Sequence, residues 1–226
     1  MNYLWQEFNI KTFLAETIVY RDGVFVPELS TLESVVIDKK YNLPIHIIYF
    51  GDIEGDKSLN INIKIPNQEV FLTAKIQNKK PAFLNIFIKN TGKNSSFLGE
   101  VIAQNYSELK IEEIAEHLES DTTVKIHNKF VAHKNSNTIL NGTAKIGSRF
   151  SNCDSDITFS ALADKSAKIE FLPSQLISSA PLSAGHSASI YKPNNFQVEF
   201  LREAGLSSQE IKNVLEEAFI NNFELF

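Results

Sequence analysis

Five histidines (His46, His117, His127, His133 and His186) and one cysteine, Cys153, are the residues of this 226-residue sequence best suited to hold a metal or act as nucleophiles. No His-x-His or His-Glu-x-x-His spacing occurs, and no second cysteine exists to complete a metal knuckle. His127 and His133, six apart, meet only if a turn lies between them. The plainer reading, two surface or half-buried strand histidines, is favoured. Cys153 stands in Asn152-Cys153-Asp154-Ser155-Asp156, and a lone thiol serves most often as a small apolar filler. His186 closes a run of small residues, SSAPLSAGH (178–186), whose size admits close approach of another backbone or a ligand. By itself it reads as a structural or interface histidine.

Phosphate and acyl chemistry are not supported. Gly142 and Gly147 have the glycine spacing of a phosphate-binding loop, but Ser148 stands where the lysine is needed. No Gly-x-Gly-x-x-Gly run occurs, and GHSAS around Ser187 lacks the closing glycine of a nucleophile elbow.

The elements that must position these residues fall into three zones: 1–40, 41–193 and 194–226. In the first, Trp5, Phe8, Phe13 and Leu14 share a face of a short helix, and Asp22-Gly23 between β-branched and aromatic runs predicts a hairpin. The second is dominated by short segments of period two, such as Asn60-Ile61-Asn62-Ile63-Lys64-Ile65, EVFLTAKI (69–76), AFLNIFIK (82–89) and TILNGTAKI (138–146). Turn-formers separate them, including Pro66-Asn67, Thr91-Gly92-Lys93-Asn94 and Lys134-Asn135-Ser136-Asn137. Many strands without intervening helices mean an all-β body, and sandwich, barrel and solenoid all fit. The spacing is not a strict six- or nine-residue repeat, which disfavours a regular hexapeptide helix. One segment, SELKIEEIAEHLES (107–120), conflicts with its neighbours, because Ile111, Ile114, Ala115 and Leu118 have helical spacing. The third zone switches to helical period. A helix over about Asn195–Ala204 ends at Gly205, and Ser207 with Glu210 forms a capping box for a second helix with the stripe Ile211, Val214, Leu215, Ala218 and Phe219.

Composition narrows the class. A net charge of -5, a pI near 5.6 and arginine only at positions 21, 149 and 202 argue against a nucleic-acid footprint. One cysteine forms no internal disulfide, which points to a reducing compartment. The N-terminus has neither the basic start nor the apolar run of a signal peptide, and no apolar stretch approaches the ~20 residues of a membrane helix. The expectation is a soluble cytoplasmic protein.

The C-terminal half resembles a known family. The order is His127-Asn128, Asn141-Gly142, AKIEFLP (167–173), GHSASI (185–190) and FLREAGLSSQEIKNVLEEAFI (200–220), and it is similar to the SufB/SufD scaffold subunits of SUF iron–sulfur cluster assembly. The tail is its most specific part: His186, then Leu201 to Ser207, then Ala218-Phe219-Ile220. Asp22 to Ser30 and Pro44 to Ile47 resemble the early strands of SufD, so the resemblance runs over about residues 18–222. SufD is the nearer of the two. The SufB thiolate position falls near Thr158, the acidic residue after the SufB histidine is Ser187 here, and the cysteine that some SufD proteins carry before it is Ala184. Only His186 carries over.

The resemblance implies an all-β core folded as a right-handed parallel β-helix, with strand rather than helix at 109–118 and a C-terminal helix pair. It implies a non-enzymatic scaffold that binds no cofactor alone and shares an iron–sulfur cluster, through His186, at the interface with a SufB-like subunit. The SufC ATPase would dock on the tail through Leu201, Gly205, Leu206, Ile211, Leu215 and Phe219, and a homodimer is left open. Thiol supply agrees, since clusters usually take four thiolates and this chain has one. A capping role for the helix pair at the solenoid end, a β-helix enzyme on polysaccharide using Asp154, Asp156 and Glu170, and a purely structural self-assembling solenoid are the competing readings.

Overall fold

The computed structural model describes residues 15–32 and 35–221, so the expected helix around Trp5–Leu14 lies outside the described residues. Strands β4 (Ile45–Asp52) to β14 (Ser183–Tyr191) alternate between two sheets, as β5 (Gly55–Ile63), β6 (Glu69–Asn78), β7 (Ala82–Asn90), β8 (Ser96–Asn105), β9 (Glu108–His117), β10 (Thr123–Ala132), β11 (Asn137–Ile146), β12 (Asp154–Ala163) and β13 (Lys168–Ile177). With β1 (Glu16–Arg21), β2 (Val24–Phe25) and β3 (Val36–Ile37), sheet A has the order β14-β12-β10-β8-β6-β4-β1-β2, and sheet B the order β13-β11-β9-β7-β5-β3. From β3 to β12 each strand thus pairs in parallel with the strand two further on, and the chain winds as a β-solenoid of about six turns.

Alternation in the sequence is what fills this coil. In β11 every second residue, Thr138 to Ile146, is buried, and the others face solvent. The apolar inward set runs from Ile45 and Leu59 through Phe97, Ile111 and Phe130 to Phe159, forming one continuous core. Between helix and strand, segment 107–120 resolves to strand β9. Inward Ile111, Glu113, Ala115 and His117 alternate with outward Ile114, so pairing with β7 and β11 overrides the helical spacing.

The corners repeat as well. Asn67, Asn94, Asp121 and Asn152 each stand two residues before a sheet A strand and all take positive φ, between 55° and 60°. Asn and Asp tolerate that conformation better than other non-glycine residues. Asn94 donates its side-chain amide to Asn67 (3.3 Å), and Asn152 donates to Asp121 (3.1 Å). The next residue at each corner, Gln68, Ser95, Thr122 or Cys153, is buried.

The two ends differ. At the N-terminal end, β1 (Glu16–Arg21) turns at Asp22-Gly23 into β2 (Val24–Phe25), the expected hairpin. Beyond a 3-10 turn (Pro27–Leu29), Ser30 Oγ and Thr31 Oγ1 accept the outward backbone N–H groups of Val19 (2.9 Å) and Thr17 (2.7 Å). That edge of sheet A is sealed. At the other end, β13 and β14 each have a strand on one side only.

Two helices follow: α1 (Asn195–Glu203) and α2 (Ser208–Asn221). Asn194 and Gln197 form a capping box on α1, and Ser207 with Glu210 the expected one on α2. Gly205, at φ +91°, makes the turn between them.

Candidate functional site

The unpaired end gathers the residues of interest. Pairing with β12 sets His186 beside Ile157 and Ala188 beside Phe159, both core positions, so β14 points Ala184, His186, Ala188 and Ile190 inward. No coil follows, and His186 is therefore exposed although it occupies an inward position. From β13, Ile169, Phe171, Pro173, Gln175 and Ile177 continue the inward rows of β11. Phe171 stacks on Phe159 at 5.5 Å, closing the apolar core below the opening. In the coil before last but one, Glu113 of β9 meets Asn128 of β10. Equal strand links put Gln175 opposite His186 in the final coil. Among its inward residues these two are polar and the rest apolar or small.

The other histidines divide by environment. His127 and His133 do not meet across a turn: extended strand β10 runs between them, so six residues hold them ~20 Å apart. His127 is half-buried on the outer face of sheet A, its Nε2 4.0 Å from Asp156 Oδ2, and burial lowers its pKa. His133 is buried under the tail. His46 sits on the outer side of β4 with Nε2 2.9 Å from Thr73 Oγ1. His117 is wholly buried, Nδ1 bonded to Thr122 Oγ1 (2.8 Å), and desolvation lowers its pKa to about 4. Cys153 is wholly buried at the corner, Sγ 3.6 Å from Thr122 Oγ1. Among the described residues no group of three or more His, Cys, Asp or Glu side chains is arranged to hold a metal ion.

The acids considered for polysaccharide chemistry do not converge. Asp154 and Asp156 face outward on sheet A, Glu170 on sheet B, and Asp154 is ion-paired with Lys125 at 2.8 Å.

The tail lies along the outer side of sheet A and does not plug the open end. Ile220 packs on Ile102 and Val131, with Phe219 beside them and 5.7 Å from Tyr191. Lys129 Nζ donates to the carbonyls of Phe219 (3.0 Å) and Ile220 (3.4 Å), where the helix dipole favours a cation. The predicted stripe splits: Ile211 is buried and Leu215 and Phe219 are half-buried, whereas Val214 and Ala218 are exposed. Leu201 and Leu206 are half-buried, and Gly205 is exposed. Sequence reasoning missed α1 as an apolar surface. It buries no residue, and Phe196 and Phe200, one turn apart, are 77% and 62% exposed. Their i, i+4 spacing in so short a helix was the available signal.

These features define a parallel β-solenoid closed at the N-terminal edge of sheet A, open at its C-terminal end, and carrying a helical hairpin on its flank. A family model described as SUF system FeS cluster assembly, SufBD core domain, matches residues 69–219, from the start of β6 into α2. The chain belongs to the SufBD family, and its role lies in SUF iron–sulfur cluster assembly. No curated protein matches it. No helix among the described residues is long and apolar enough to cross a membrane.

Proposed function

We propose that this chain is a SufD-like, noncatalytic half of an iron–sulfur assembly scaffold. It pairs through β13 and β14 with a SufB-like subunit and carries a SufC-type ATPase on α1 and α2. The observation that carries the reading is the unsealed end. A parallel solenoid that spends Ser30 and Thr31 on closing one edge leaves the other with free strand edges and apolar inward residues, which is where a second strand adds. With Cys153 buried, His186 is the ligand this chain lends to a cluster at that seam, and the partner supplies the thiolates. Phe196 and Phe200 extend the docking surface proposed for Leu201 and Leu206, whereas Ile211, Leu215 and Phe219 are turned towards the solenoid. Because Lys129 and Ile220 tie α2 to β8 and β10, movement of the ATPase subunits is delivered to sheet A and along it to the open edge.

Three substitutions separate the parts of this proposal. Ile190→Lys places a charge in the open mouth and abolishes co-purification with a SufB-like subunit; retained pairing overturns the edge. Phe200→Asp releases the ATPase while the β-rich circular dichroism spectrum is kept; retained ATPase overturns the tail. His186→Ala lowers iron and sulfide in the reconstituted complex without dissociating it. Unchanged content means that His186 is structural.

A further inference from the structure

Between the helical hairpin and the flank of the solenoid lies a cleft of about 510 Å³, a size that holds one small organic molecule. Part of its wall is apolar: Val131 and Leu162 from sheet A, Val198 from α1, Ile211 and Leu215 from α2. His133 lines it and is only 5% exposed. Its ring stacks on Tyr106 at 3.8 Å, and Nδ1 lies 3.5 Å from Glu216 Oε1. Neither ring nitrogen has a hydrogen-bond partner among the described residues. A buried ring nitrogen left without a partner costs free energy unless something bonds it. Desolvation lowers this imidazole to about 4, so at neutral pH the ring is uncharged.

The charges around the cleft do not balance. Lys165, Lys192 and Arg202 line it, and none of them is ion-paired among the described residues. Lys212, in the same wall, is paired with Glu216 at 3.7 Å. Of the three lining carboxylates, Glu216 is paired with Lys212, which leaves Asp164 and Glu199 against Lys165, Lys192 and Arg202 and an excess of positive charge.

We propose that this cleft binds a small organic anion with an apolar body. Its carboxylate, sulfonate or phosphate sits among Lys165, Lys192 and Arg202, and its body lies between Val198 and Leu162. The inference stands on the cleft alone and does not depend on the scaffold role.

The test uses the full chain and two fluorescent probes of similar shape, anilinonaphthalene sulfonate and uncharged N-phenyl-1-naphthylamine. The sulfonate binds saturably at one site. The combined Lys165→Gln, Lys192→Gln and Arg202→Gln variant weakens it roughly tenfold or more, with little effect on the uncharged probe. Lys64→Gln, Lys89→Gln and Lys110→Gln, on the far side of the solenoid, change neither. Val198→Trp, which fills the cleft from the exposed helix, removes binding of both probes while the circular dichroism spectrum is kept. Absence of a saturable site, equal loss in both triple variants, or full binding by Val198→Trp overturns the proposal.

Discussion

Glu113 is the residue that most clearly breaks the rule for a solenoid interior. It is wholly buried, accepts from Asn128 Nδ2 at 2.9 Å through one oxygen, and has no partner for Oε1 among the described residues. Gly142 is its lateral neighbour in the sheet. Burial raises its pKa to about 8, so the folded chain holds a proton there that the unfolded chain gives up above about 4.5. Its contribution to stability is therefore greatest at low pH and is lost as pH rises through 8. His117 and His133, both lowered to about 4, act in the opposite sense: their contribution is present above about 6.5 and is lost as pH falls through 4. Urea unfolding of Glu113→Gln should show a stability gain on the order of 2 kcal/mol at pH 8 that shrinks towards pH 5. A pH-independent difference would mean that the carboxyl does not titrate on unfolding. None of this was legible in sequence, where Glu113 is one of several acids in what reads as a polar helix face. Cys153 was legible, because a lone thiol between corner residues is an apolar filler wherever it stands.

Individual strands could be read directly, since outer faces open to solvent leave a clean alternation. The exception, β9, shows why local spacing fails. Ile111 and Ile114 share a face of a helix but lie on opposite faces of a strand, and only the partners β7 and β11 decide which applies. The prediction is correspondingly asymmetric. Ile111→Ala should cost about 2–5 kcal/mol in equilibrium unfolding, and Ile114→Ala well under half as much. Equal costs would restore the helical reading. The helix pair was legible from its caps, but its seating was not. The stripe Ile211, Leu215 and Phe219 marks an apolar side without naming its partner, and α2 uses it on the outer flank of sheet A, leaving α1 uncovered.

At the scale of the whole molecule, the choice among sandwich, barrel and solenoid rests on which strand pairs with which, information that alternation does not carry. The order of motifs in the second half supplied it through family resemblance. A stack of coils touching only their neighbours should also loosen from its uncovered end. Amide hydrogen exchange should be fastest in β14 and β13 and slowest in β8 and β10, and the gradient should flatten when a second subunit covers the edge. Uniform exchange across the coils would contradict a one-ended stack.

The left-handed residues Asn67 and Asn94 stand 27 positions apart at the same corner of successive coils, and their amides touch. Removing the stretch from Asn67 to Lys93 would bring Pro66 up to Asn94 and leave every remaining corner stacked as before. Height is thus a quantity this architecture changes in whole storeys, and a lineage can shorten or lengthen the tower without redesigning either its foundation or its roofline.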